Sequence, residues 1–205
     1  MRTVTVDADG LSETIRYFEA VPAVSARAMR LALNTVISRG GMRLAQDAIY
    51  DQVEFPRGYL RGDRLYVSKY ASENDLEAAM VGRKRATSLA RFASGQPIGT
   101  RGGVRVRVKK GQSVMMRRAW LVRLRRGASL TEDNYNVGLA LRVNPGESVV
   151  GKYSSHQSWL VPGSVALLYG PSVDQVFRDV SGDIADPISQ MVTDEFFRQF
   201  SRLSS

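Results

Sequence analysis

The feature that most limits the fold is a change in the spacing of apolar residues partway along the chain. Up to about residue 53, apolar or small residues recur at steps of three and four; from 59 to 143 they recur at every second position. A period near 3.6 belongs to a helix, and a period of 2 to a strand with one face buried. In the first part Met29, Leu33, Val36, Ile37, Gly40, Leu44 and Ala48 form the stripe, while Arg27, Arg30, Arg39 and Arg43 fall mostly off it. This predicts a main helix over 23–52 and a short leading helix over 11–20. Pro22 takes a first-turn position between them, and Gly40-Gly41 weakens and bends the longer one.

The period-2 region predicts strands at 64–70, 77–83, 103–109, 114–124 and 135–143. In the last of these Tyr135, Val137, Leu139, Leu141 and Val143 alternate with Asn136, Gly138, Ala140 and Arg142, so one face is expected in the core and the other outside. The 103–109 strand places Val104, Val106 and Val108 on one side and Arg105, Arg107 and Lys109 on the other. The Lys109-Lys110-Gly111-Gln112-Ser113 connection supplies a glycine for a tight reversal and leads into Met116, Arg118, Trp120, Val122 and Leu124. Residues 103–124 are therefore expected to form a hairpin.

A Gly-, Ser- and Pro-rich loop is expected at 144–163, followed by a short strand at 164–169. Ser172 and Gln175 have capping-box spacing, which starts a helix near Ser172. A separate last helix is expected with Asp186 as its cap and Pro187 in its first turn, closing the core through Ile188, Val192, Phe196, Phe200 and Leu203. The pattern as a whole is α+β: a long N-terminal helix packed on a mainly antiparallel sheet, with a basic β-hairpin arm and C-terminal helices. A single domain over 1–205 is expected, with 94–131 as the extended arm.

Composition narrows the chemistry. The chain has no cysteine, which excludes disulfides, thiolate metal sites and cysteine nucleophiles and suits a reducing cytoplasm. Neither a membrane-length apolar run nor the apolar core of a secretory signal is present, so a soluble protein made in the cytoplasm is expected. Catalytic, cofactor and metal sites are all expected to be absent. The single histidine, His156, lies in a polar stretch with serines but no localised carboxylate partner or oxyanion hole. Asp7 with Asp9, and Asp183 with Asp186, have the spacing of turn and cap residues, and the glycine clusters match no nucleotide-binding fingerprint. Arg61-Gly62-Asp63 is a chance tripeptide in a chain rich in arginine and glycine.

The strongest local signal is charge. Between residues 101 and 126 stand ten basic residues, Arg101, Arg105, Arg107, Lys109, Lys110, Arg117, Arg118, Arg123, Arg125 and Arg126, and no acidic one. Cations on an outer hairpin face also deter accidental strand pairing, which is the bland reading. Ten without a counter-charge repel one another, and an anionic contact opposite them relieves that repulsion. That contact is either a phosphate backbone or an acidic protein surface. The segment from Ser172 onward carries Asp174, Asp179, Asp183, Asp186, Asp194 and Glu195 against Arg178, Arg198 and Arg202, so the chain is polarised. Polarity of this kind suits head-to-tail packing of copies in a closed ring.

One run of residues carries a resemblance. Leu168-Tyr169-Gly170-Pro171-Ser172-Val173-Asp174-Gln175-Val176-Phe177 resembles the signature near the C-terminus of the minor tail protein Z family of tailed bacteriophages. Upstream stretches follow in that family's order: 27–34, Leu89-Ala90-Arg91-Phe92, 103–111, Arg118-Ala119-Trp120-Leu121-Val122 and Gly138-Leu139-Ala140-Leu141-Arg142. The likeness spans about residues 22–180, with an insertion at 130–136 and a longer loop before Trp159. It implies a virion protein of the tail and neck, assembled in the host cytoplasm. Its copies would form a ring, six by analogy, at the head-proximal end of the tail. That ring would meet the neck connector and the tail-tube or terminator proteins and let genomic DNA pass. No membrane, cofactor or catalytic residue comes with the family. The alternative from another class is a sequence-independent DNA-binding protein using the basic hairpin.

Overall fold

The computed structural model describes residues 4–6, 22–94, 97–100, 102–124, 135–143, 159–161 and 165–204. The short helix expected at 11–20 lies outside them, as do His156 and three of the ten basic residues, Arg101, Arg125 and Arg126. The fold is α+β, with helices and antiparallel sheets. The chain divides into two compact units, each built from separated segments.

The first unit comprises Met1–Ile49, Leu60–Arg83 and Asp174–Ser205. Helix α1 (Pro22–Ser38) opens on the proline, whose missing N–H is needed least at a helix start. It buries Met29, Leu33, Val36 and Ile37 of the predicted stripe, with Ala28 and Ala32 beside them; beyond residue 39 the buried residues are Gly41, Ala45 and Ile49, and the predicted Gly40, Leu44 and Ala48 are only half-buried. The single helix expected over 23–52 is instead two. After Ser38 the Arg39 amide donates to the Val36 carbonyl three residues back (3.2 Å), and α2 (Gly40–Gln52) begins. The glycine pair does more than weaken the helix. A Cβ on Gly40 would lie 3.0 Å from Met191 Sδ, and one on Gly41 would lie 3.1 Å from the Val36 carbonyl oxygen, so this corner is tightly packed and a side chain there would make its neighbours give by a few tenths of an ångström.

The sheet of this unit has the order β1 (Val4–Val6), β3 (Ala78–Gly82), β2 (Leu65–Lys69), all antiparallel. Asn34 on α1 fixes the chain after β2 at both polar atoms: its Nδ2 donates to the Ala71 carbonyl (2.9 Å) and its Oδ1 accepts from the Ala71 amide (2.8 Å). Lys69 closes the β2–β3 connection by pairing with Asp75 (2.8 Å) and Glu77.

The unit is completed by α3 (Val173–Ser204), one helix of 32 residues where two were expected. The chain starts it after Ser172, as the capping spacing implied, but Asp186-Pro187 does not begin another. Pro187 lies inside the helix. An interior proline forfeits one backbone hydrogen bond and costs about 3 kcal/mol, so something must offset it. The offset is burial: Val173, Val176, Phe177, Val180, Ile184, Ile188, Val192 and Phe196 are all buried, at three- and four-residue steps that pass through the proline without a break in phase.

The second unit comprises Tyr50–Tyr59 and Lys84–Val173. One sheet runs β10 (Trp159–Val161), β11 (Val165–Gly170), β9 (Val137–Arg142), β8 (Ala119–Arg123), with β4 (Thr87–Ser88) also paired to β11. A smaller one has the order β5 (Ala93–Ser94), β6 (Val104–Val106), β7 (Val114–Met116). Three expectations change here. The strand at 114–124 is two, interrupted by a turn at Arg117-Arg118, and its halves belong to different sheets. The segment 144–163, expected as loop, contains β10. In β9, Gly138 and Ala140 are buried together with Val137 and Leu139, while Leu141 is only half-buried, so the clean inside–outside alternation does not hold.

The two sheets share one core, in which Val104 and Val106 of β6 pack with Ala119, Leu121, Val137, Leu139, Leu168 and Ala90. The hairpin of β6 and β7 is thus anchored through its valines. A turn of 3₁₀ helix, Leu89–Phe92, completes the unit. It brings Phe92 to Phe55 (ring centroids 5.4 Å), Phe55 stacks on Tyr59 (5.2 Å), and the Tyr59 hydroxyl lies 3.1 Å from Thr87 Oγ1.

Candidate functional site

Charge is divided between the units far more unevenly than along the sequence. The segments of the second unit carry 16 basic and 5 acidic residues, a net of +11; those of the first carry 13 and 15, a net of −2. The two sum to the +9 of the whole chain.

Seven of the ten predicted contact residues are described, and all seven are exposed. Strand geometry explains why. With Val104 and Val106 held in the core, pleating turns Arg105 outward, and the same alternation continues beyond the strand to Arg107 and Lys109. Val53 forms an isolated bridge with Lys109, and the Glu54 amide donates to the Val108 carbonyl (2.8 Å), so the row is held in register after β6 ends. Across the hairpin, Arg105 is paired in register with Met115 and not with another cation, which spares the pair direct repulsion. Arg117 stands in the turn after β7. There Gly103 (φ +92°) lies so close that an added Cβ would come within 2.9 Å of Arg117 Cα.

These residues are not equally available. Lys110 is held by Asp51 (2.5 Å), in an exposed pair of the kind that contributes little to stability. Arg105, Arg107, Lys109 and Arg117 have no ion-pair partner among the described residues. Arg118 and Arg123 are exposed. Sequence reasoning passed over four further exposed cations of the same unit, Arg57, Lys84, Arg85 and Arg142. Each stands apart from the 101–126 run, and only the fold gathers them into one unit. Beside the cations the surface is partly apolar, with Val114 61% and Met115 45% exposed.

The residues of the resemblance occupy structural positions. Tyr169 and Gly170 pair with Ser88 and Thr87, and the Thr87 amide donates to the Pro171 carbonyl (3.4 Å). A Cβ on Gly170 would lie 3.1 Å from Phe92 and 3.3 Å from Leu89, so the glycine admits the Leu89–Phe92 turn against β11. Ser172, Val173 and Phe177 are buried, and Gln175 is half-buried on the first turn of α3. Arg91 is not part of the exposed cationic surface: its guanidinium lies over the rings of Tyr135 (3.7 Å) and Tyr59 (4.8 Å).

Asp183 and Asp186 are exposed on α3, and no group of three potential metal ligands exists among the described residues. Among the same residues, no helix is long and apolar enough to cross a membrane. Compared with known proteins, the chain matches no protein-family model, no curated protein and no solved structure.

Proposed function

We propose that this chain is a structural subunit of a tailed-bacteriophage particle, a minor tail or tail-completion protein. It would act at the head-proximal end of the tail and join it to the neck connector. The observation that carries the reading is the second unit's net charge of +11, borne on a packed sheet whose outward cations Arg105, Arg107, Lys109 and Arg117 have no ion-pair partner among the described residues. A surface so unbalanced is relieved by an anionic partner, and anchoring it in a packed core suits a component that transmits force. The resemblance supplies the setting, a ring of copies that holds its neighbours while DNA passes through. Complementary charge and shape suffice for that work, without a reactive group.

The test is genetic and visual. Purified particles should contain the chain, and a label on an added C-terminal tag should appear at the junction of head and tail in electron micrographs. Loss of the gene should give unjoined heads and tails. Absence of the chain from finished particles, with normal infectivity without it, rejects the reading.

A second reading rests on the same row of cations: contact with a nucleic-acid backbone regardless of sequence. Binding by counterion release weakens linearly on logarithmic axes as salt rises, with a slope of about 0.9 for each phosphate neutralised. Duplex affinity should then lose part of its salt slope for each of Arg105, Arg107 and Lys109 removed; an unchanged slope rejects this second reading.

A further inference from the structure

The cationic hairpin has a counterpart elsewhere on the same chain. On α3, Asp179, Asp183, Asp186, Gln190, Asp194 and Phe197 follow at steps of four, three, four, four and three, so they form one stripe along the helix. All six are exposed. The stripe is about 27 Å long at 1.5 Å per residue. It carries no cation, and Asp179, Asp183 and Asp186 have no ion-pair partner among the described residues. Two of the helix's three arginines are engaged elsewhere: Arg178 pairs with Asp174 (2.8 Å) and Arg198 with Glu195 (2.5 Å).

A second, independent observation lies at the end of this stripe. Phe197 is 47% exposed although its neighbour Phe196 is fully buried. The hairpin has the matching arrangement: Met115, 45% exposed, is paired in register with Arg105 and so shares its face. Each surface therefore combines an exposed apolar side chain with a row of unpaired charge, and the two rows have opposite sign. The spacings also correspond: alternate residues of a strand lie about 6.6 Å apart, and helix residues four apart about 6 Å. Apolar contact gains nothing against phosphates. Against a protein it forms the desolvated centre of an interface, and methionine on an aromatic ring is a favourable pairing.

We infer that the Asp179–Phe197 stripe of α3 is a docking surface for the cationic hairpin of a second copy of this chain. The inference rests on reading the basic face as a contact surface and names its partner. Since the two surfaces differ, the contact is heterologous, so a pair of copies keeps one free face of each kind and association continues from copy to copy.

The full-length protein is tested by sedimentation at low and high salt, together with two variants: Asp183→Lys with Asp186→Lys, and Arg105→Glu with Arg107→Glu. The wild type should self-associate, less so at high salt. Each variant alone should associate at least about tenfold more weakly, because like charges face each other across the contact. Circular dichroism should show both variants folded, since all four positions are exposed. An equimolar mixture of the two variants should recover association, pairs at least, because the intact basic face of one meets the intact acidic face of the other and the two reversed faces are also opposite in charge. Pairing between the two surfaces within one chain would not respond to mixing. The inference is overturned if the wild type is monomeric at every concentration, if either variant associates like the wild type, or if the mixture gives no pairs. A monomer that binds duplex DNA through Arg105 and Arg107 would assign the basic face to nucleic acid. That result would sink self-docking while leaving the virion reading to its own test.

Discussion

Gly103 and Gly111 flank the same strand-turn segment, and replacing each by alanine separates backbone strain from steric crowding. Both have positive φ, +92° and +74°. An alanine in the left-handed region costs about 1–2 kcal/mol at either site, and the stiffer unfolded chain returns about 0.4–1 kcal/mol. Gly111→Ala has nothing further to lose, since no atom lies within 4 Å of the added Cβ, so a net cost of about 0.5–1 kcal/mol is expected. At Gly103 the new Cβ would lie 2.9 Å from Arg117 Cα and from Met115 Cε and 3.1 Å from the Met116 carbonyl oxygen. The methionine tip can swing away, but the backbone atoms can move only if the β7–β8 turn shifts. Overpacking of that kind adds about 1–3 kcal/mol. Urea unfolding followed by tryptophan fluorescence is a suitable assay, because both tryptophans, Trp120 and Trp159, belong to the second unit. Gly103→Ala should lower the midpoint well beyond Gly111→Ala with an unchanged slope. Equal losses would refute the close approach of Gly103 to Arg117.

Three other outcomes are expected. Pro187→Ala should raise the thermal midpoint of the first unit, followed by circular dichroism, because it restores an interior hydrogen bond worth up to about 3 kcal/mol; no change would mean that α3 is not continuous there. Phe196→Ala should cost about 3–5 kcal/mol, whereas Leu141→Ala, at a half-buried position, should cost about 1–2 kcal/mol; the reverse order would contradict the burial described. The hydrogen bonds from Arg198 hold the Glu195 carboxyl below the ordinary carboxylate range, against the effect of burial. Its folded-state value is lowered, so its contribution is complete above the ordinary range and is lost as pH falls through the lowered value. Arg198→Ala should therefore flatten the acid limb of the stability–pH curve below about pH 5, and an unaltered limb would show that the pair contributes nothing.

Much of the fold was legible because local chemistry and tertiary packing agree. The valine–cation alternation at 104–109, the stripe of α1, the proline at its start and the onset of α3 all follow from residue spacing. The failures arose where a periodic signal ran through a change of structure, or a local signal was overridden. At Met116-Arg118-Trp120 the alternation continues in sequence, yet the turn at Arg117-Arg118 reverses its phase: Ala119 and Leu121 are buried, and Leu124 is 45% exposed. A slip of one residue exchanges the faces of a strand, and the arginine in an apolar slot was the available clue. Asp186-Pro187 has every local mark of a helix start, but the unbroken spacing of Ile184, Ile188 and Val192 outweighs it. The cationic surface was visible only in its dense run. Lys84, Arg85 and Arg142 belong to the same unit only through the fold, and Lys110 is engaged by Asp51, an acid 59 positions earlier.

The interleaving of segments sets an order of events during translation. Every residue of the cationic unit is synthesised before the last segment of the other unit, 174–205, is begun. Domains emerging first generally fold first, so the strongly positive half can mature while the first unit still waits for the helix that completes it. Until 174–205 has emerged, the unit that holds Ala28, Met29, Leu33 and Val36 lacks its last helix. Nascent chains should therefore recruit holding chaperones to the early amphipathic segment more than to the basic sheet.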